Sequence, residues 1–190
     1  MPVQPKNSAY LYNVHSFLIM KRLLFIIALL FSIQSFSQPI NHWETVIDQG
    51  DFWKYLVPGF EPSPMWNTLG FNDSFWNVGN SGFGYGDGDD STIIANTISL
   101  YLRKQFNIID TSVIQEAKLH MDYDDGFVAY LNGVEIARYN MTGTPPPFDQ
   151  VSDSEHEALL YQGLIPEEYV ISKATLSALL NQGNNVLAIQ

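Results

Sequence analysis

From His42 onward, apolar and polar side chains alternate mostly with a period of two, the spacing of strands rather than helices. His42–Asp48 and Phe52–Val57 are predicted strands, joined as a hairpin at Gln49-Gly50-Asp51. Residues 58–97 are rich in Gly, Pro, Asn and aromatics, which predicts packed loops with a short helical turn at Asp73–Trp76. Strand periodicity returns over Ile98–Phe106, where Ile98, Leu100, Leu102 and Phe106 share a face; Lys104, on that same face, is the exception.

The clearest pattern follows. Ala117, Leu119, Met121 and Tyr123 alternate with Glu116, Lys118, His120 and Asp122, as in a strand buried on one face. Asp124-Asp125-Gly126 supplies a turn, and Phe127–Leu131 is apolar on both faces, as a central strand should be. Asn132-Gly133 suits a two-residue type I′ turn, because both residues tolerate positive φ. With Val134–Tyr139 returning, the expectation is a three-stranded meander over residues 116–139. Pro145-Pro146-Pro147 places residues 141–153 in a loop, since proline cannot donate to a ladder. Tyr169–Ser172 is a further strand. Ala174–Leu180 has helical spacing, with Gly183 as its stop, and Val186–Ile189 opens a strand that reaches Gln190. The class is all-β: an antiparallel β-sandwich with one or two short helices, whose closing strand or strands are expected beyond Gln190.

The N-terminus changes the picture of where this domain resides. Lys21-Arg22, the apolar run Leu23–Phe31 and the polar stretch Ser32–Gln38 have the order of a secretory leader. Ser35 and Ser37 occupy the small-residue positions, so cleavage is expected before Gln38, with Met20 as the natural start. A membrane span needs about 20 apolar residues, and this run is less than half that. Residues 1–37 are therefore upstream segment plus signal peptide, and 38–190 form the sandwich module of a secreted or cell-surface protein. No membrane insertion is expected after cleavage.

All 20 acidic residues follow Ser37, against six of the nine basic ones, leaving that segment at a formal charge of −14. Such a charge argues against nucleic acid and anionic membrane as partners, since both need basic patches. It suits either solubility or cation binding. The chain has no cysteine, which excludes disulfides and thiolate metal sites.

Catalytic signatures fail one by one. His156-Glu157-Ala158-Leu159-Leu160 starts like a zinc-protease helix, but Leu160 stands where the second histidine belongs. Gly79-Asn80-Ser81-Gly82 lacks nucleophile-elbow spacing, and the alternating glycines at 82, 84, 86 and 88 are not a dinucleotide fingerprint. The segment is expected to be non-catalytic. Asp87, Asp89 and Asp90 in a Gly-rich loop are the candidate calcium ligands, the alternative being a solvated turn. Trp53, Trp66, Trp76 and Tyr85 are the candidate ligand-binding residues, because flat rings stack on the apolar C–H faces of sugars. Their alternative fate is the core.

Four blocks carry a family resemblance: Gly82-Phe83-Gly84-Tyr85-Gly86-Asp87-Gly88-Asp89-Asp90, Tyr101-Leu102-Arg103-Lys104-Gln105-Phe106, the run Asp124–Gly133, and Gly183–Ile189. In this order they resemble the galactose-binding-like jelly-roll modules of large secreted bacterial proteins, over Trp43 to Gln190. Such modules accompany CotH-type kinase, lamin-tail, phosphoesterase and secretion-sorting domains. The resemblance implies a sandwich of about eight strands, often with a structural calcium ion, and gives no catalytic residues to carry over. It leaves two roles: an accessory module binding extracellular glycan, or a spacer docked to a downstream kinase-like or hydrolase domain.

Overall fold

The computed structural model describes residues 21–22, 41–86, 88 and 90–190. The expected leader, apart from Lys21 and Arg22, and two candidate calcium ligands, Asp87 and Asp89, lie outside the described residues. The chain divides into two units, Met1–Glu44 and Thr45–Gln190. In the first, His42 Nε2 and Glu44 Oε1 are 2.7 Å apart. All the described strands lie in the second.

Its strands are β1 (Phe52–Leu56), β2 (Asn77–Asn80), β3 (Phe83–Gly84), β4 (Thr92–Ile93), β5 (Tyr101–Ile108), β6 (Glu116–Met121), β7 (Phe127–Leu131), β8 (Val134–Tyr139), β9 (Glu167–Ser172) and β10 (Gly183–Ile189). This unit also holds one helix, α1 (Lys173–Leu179), and a single 3₁₀ turn at Leu160–Gln162. A six-stranded antiparallel sheet runs β2-β1-β5-β10-β7-β8, and β6 with β9 forms a second antiparallel sheet. The fold is an all-β sandwich.

Both faces of the large sheet are covered. On one, Trp53, Phe127, Ala129, Leu187 and Ile189 pack with Leu119, Met121 and Tyr169 of the small sheet, and Leu131 packs with Ile171 and Leu176 of α1. On the other, Tyr101, Val128, Tyr130 and Ala188 lie under Trp66 and Trp76, with Phe71, Met141 and Phe148 beside them. That second cover is loop, not sheet.

The strands expected over residues 116–139 are present, but not their order in a sheet. All five residues of β7 are buried, and β6 alternates exposed and half-buried positions as predicted. The meander does not form: β6 pairs with β9, while β7 pairs with β10 and β8. The physical reason is burial. A strand apolar on both faces belongs inside a two-sided layer, where Val186–Ile189 of β10, also fully buried, is the matching neighbour. A one-sided strand such as β6 belongs in an outer layer, so Asp124-Asp125-Gly126 carries the chain from one sheet to the other.

Four further expectations are corrected. Residues 42–48 form no strand; Asp51 N–H closes a turn on Asp48 O at 3.2 Å, and Gly50 is tied to the distant Asn80-Ser81 pair. The 58–97 segment holds the turn at Asp73–Trp76 but also contributes three short strands. β5 starts at Tyr101 rather than Ile98, which is exposed, and Lys104 escapes burial by pairing with Asp51 at 2.9 Å. Gly183 does not stop the helix. α1 ends where Leu180 N–H reaches Leu176 O at 2.8 Å, and Gly183 opens β10 at φ +97°.

The β7–β8 turn is as predicted, with Asn132 at φ +52° and Gly133 at +92°. Asn132 also clasps the buried Asn185: its Nδ2 donates to Asn185 Oδ1 at 2.8 Å, and its Oδ1 accepts from Val186 N–H at 2.9 Å. A Cβ at Gly133 would sit 3.0 Å from Thr68 Cγ2. Gly133→Val is therefore expected to destabilise the domain by at least about 1–2 kcal/mol, from left-handed strain alone. The check is the urea midpoint, and an unshifted midpoint would contradict the turn geometry.

Candidate functional site

The tryptophans put forward as a stacking surface are core residues. Trp53, Trp66 and Trp76 are 7%, 3% and 8% exposed, and they lie on opposite faces of the large sheet. Trp66 stacks with Trp76 at 6.3 Å between ring centroids and meets Tyr101 and Tyr130 edge-on at 4.7 and 5.6 Å. The area a tryptophan removes from water outweighs any preference to stay exposed. Of the four, only Tyr85 is exposed, so no shared platform forms.

Of the candidate calcium ligands, Asp90 is described. Its carboxylate packs against Gly84, where an added Cβ would be 2.1 Å from Asp90 Oδ1. Among the described residues, no group of three or more His, Asp or Glu side chains is placed to hold a metal ion.

The structure instead assembles a polar centre that the sequence did not single out, at one end of the sandwich. The last residues of the β6 pattern lead into it. Asp122 Oδ1 accepts from Leu159 N–H at 2.6 Å and Leu160 N–H at 3.1 Å, fixing the start of the 3₁₀ turn. Buried Tyr123 donates its hydroxyl to Glu167 Oε2, Tyr169 donates to the same oxygen at 2.8 Å, and the two phenol oxygens are 3.0 Å apart. His156 Nε2 lies 3.1 Å from Glu167 Oε1, and its ring stacks on Tyr123 at 4.5 Å. Asp125 holds the His156 backbone from both sides: Asp125 N–H donates to His156 O at 2.7 Å, and Asp125 Oδ1 accepts from His156 N–H at 3.1 Å.

The electrostatics follow from this geometry. Burial, then the hydrogen bond to Glu167, push the Tyr123 phenol well above its ordinary range, so it stays a donor. The Tyr123 hydrogen bond, followed by those of Tyr169 and His156, holds the Glu167 carboxyl below its ordinary value. Asp124 is pushed up, first by burial and then by the charges of Asp125 and Glu157. Asp122, Asp125 and the His156–Glu167 contact thus hold loop 153–160 against the sheets.

A pH signature is expected. A carboxyl depressed in the folded state adds stability above its unfolded value, near 4.5, and loses it as pH falls through the lower folded value. Glu167→Gln should therefore lower Tm at neutral pH, with the gap from wild type closing below about pH 4. A gap independent of pH would show that Glu167 contributes no charge-dependent stability.

Beside this centre the 3₁₀ turn and the residues that follow it are apolar and open. Leu160, Tyr161, Leu164 and Ile165 are 41%, 59%, 54% and 83% exposed. Tyr161 Oη donates to Glu157 Oε2 at 3.4 Å. Sequence reasoning met His156 and Glu157 only as a failed zinc motif. The available signal was local: four apolar residues in Leu160–Ile165 with neither strand nor helix periodicity to bury them.

No protein-family model and no curated protein matches the chain. Solved structures do. A beta-glucuronidase from glycoside hydrolase family 2 matches at 18% identity and TM-score 0.48, over 79% of this chain and 14% of that one. The Bifidobacterium dentium beta-glucuronidase complexed with coumarin-3-O-glucuronide matches at 14% identity and TM-score 0.47, over 81% and 21%. A calcium-binding mutant of Bacteroides uniformis beta-glucuronidase 2 matches at 14% and 0.45, over 76% and 14%. The chain thus spans less than a quarter of the length of each, and likenesses of this degree transfer neither activity nor ligand. Among the described residues, no helix is long and apolar enough to cross a membrane.

Proposed function

We propose that residues 38–190 are a non-catalytic accessory module of a secreted or cell-surface protein, of the galactose-binding-like kind. It binds extracellular glycan at the end formed by Asp124, Glu157 and the Leu160–Ile165 loop. The observation behind this reading is the exposed Tyr161 ring standing beside Glu157, next to apolar Leu164 and Ile165. Pyranose rings present C–H faces to a flat side chain while carboxylates accept from their hydroxyls, and that combination is what a sugar subsite requires. The ring is that of Tyr161, which is not among the four residues first expected.

The test is electrophoresis of the protein through gels containing neutral and acidic polysaccharides. Retardation is expected with at least one of them, and Tyr161→Ala should abolish it without lowering Tm. Migration unaffected by every polysaccharide would remove the glycan reading. Running the same gels with a chelator tests the calcium proposal for Asp87, Asp89 and Asp90, since retardation should then weaken.

The second reading is a spacer docked to a kinase-like or hydrolase domain of the same protein. It is favoured by the burial of Trp53, Trp66 and Trp76 and by the open Leu164 and Ile165 side chains, which suit a protein contact. This reading expects no retardation in any gel.

A further inference from the structure

The loop-covered face of the large sheet contains a cluster of buried polar atoms with no partner. Tyr101 Oη, Arg103 Nη2, Tyr130 Oη and Gln190 Oε1 are each shut off from solvent and have no hydrogen-bond partner among the described residues. The residues carrying the first three are 0%, 1% and 5% exposed. The ladder places them together: Ala188 of β10 lies opposite Arg103 on one side and Tyr130 on the other. Gln190, two residues beyond Ala188 and just past the end of β10, exchanges backbone hydrogen bonds with Val128 at 2.9 and 3.0 Å. All four side chains therefore rise from the same face of three adjacent strands.

Trp66 sits over them. Its ring meets both tyrosine rings, and its carbonyl accepts from Arg103 Nη1. Gln190 Nε2 donates to Pro146 O at 3.1 Å, so the 145–149 loop closes the other side. Glu61 Oε2 accepts from Phe148 N–H at 2.9 Å and ties the two covering loops together.

We propose that this enclosed cluster is an internal hydration site, in which ordered water bridges Tyr101, Arg103, Tyr130 and Gln190. A buried donor or acceptor left unpaired forfeits its full hydration, and four such atoms on one patch are rare in folded proteins. The chemistry of the set selects the ligand. Two phenols give and take hydrogen bonds, Nη2 only donates, and Oε1 only accepts, so the bridging molecule must do both. A cation is opposed by the Arg103 guanidinium. An anion is opposed by the Glu61 and Asp149 charges, which act on Tyr101 after burial to hold its proton. A sugar hydroxyl has no path to side chains this buried. Water is neutral, small and two-way, and buried waters typically bond to two to four such groups. The site then serves to hold loops 58–72 and 141–150 onto the sheet.

Tyr101→Phe and Tyr130→Phe separate a hydrated site from an orphaned one by the sign of their effect. Each removes only the oxygen and keeps the ring packing. With bridging water, each substitution breaks a satisfied network, and Tm should fall as the unfolding equilibrium shifts by roughly fivefold to tenfold. If the hydroxyls are unsatisfied, each substitution relieves a penalty and Tm should rise. A high-resolution crystal structure of the wild-type protein provides the independent reading. Solvent density within hydrogen-bonding distance of both phenol oxygens is the expected result. A rise in Tm at either tyrosine, or a crystal structure without that density, overturns the proposal.

Discussion

Asp73→Ala is expected to destabilise the domain by about 3–5 kcal/mol, because it strips the counter-charge from a fully buried guanidinium. Arg103 projects from β5 into the loop-covered core, with its side chain 0% exposed. Its Nε donates to Asp73 Oδ2 at 2.8 Å and its Nη1 to Thr68 O at 3.0 Å, and the guanidinium lies 5.2 Å from the Phe71 ring centroid. It thus gathers three points of the 66–73 loop onto one strand. Without Asp73 the carbonyls remain but the charge is uncompensated, and the cheapest response is for the loop to open and admit water. The double replacement Arg103→Met with Asp73→Leu should cost less than Asp73→Ala alone, since no charge is then left buried. Chemical unfolding of the three variants measures both claims. A double variant less stable than Asp73→Ala would show that the guanidinium matters for its hydrogen bonds to the loop more than for its charge pairing.

Trp66→Ala should cost about 3–5 kcal/mol, the range for deleting a buried large aromatic. The ring touches Trp76, Tyr101 and Tyr130, so its removal leaves a hole bordered by three rings that cannot close without moving two strands and a loop. Tyr85→Ala, at a side chain 48% exposed, is expected to change stability by less than about 0.5 kcal/mol. The contrast matters for function. If Trp66 were a ligand-stacking residue, its loss would weaken binding and spare the fold. A Trp66→Ala protein that keeps its unfolding midpoint would show that Trp66 is not a core residue.

The residues differ in how much of their fate the linear pattern could carry. Strand β7, the Asn132-Gly133 turn, the one-sided β6, the 145–147 proline loop and the α1 spacing were all legible, because each depends on neighbours in sequence: periodicity, positive φ or a missing N–H. These local signals are enough to determine an all-β sandwich. Pairing is a different kind of information. That β6 joins β9 and β7 joins β10 follows from which faces must be buried together, and two strands 50 or more residues apart compete on that basis only in three dimensions. The same limit applied to the aromatics. Trp66 and Tyr161 look alike as exposable rings outside the strands, yet the 58–76 loop folds over a sheet face that needs cover, while Leu160, Tyr161, Leu164 and Ile165 stay exposed. Nothing in the linear pattern linked Tyr123, His156, Glu167 and Tyr169 to one another, or Arg103 to Asp73, since these partners come from separate strands and loops. What the tertiary structure decided, therefore, was which polar and aromatic groups share a low-dielectric interior, where hydrogen bonds and charge pairs become strong enough to fix the loops in place.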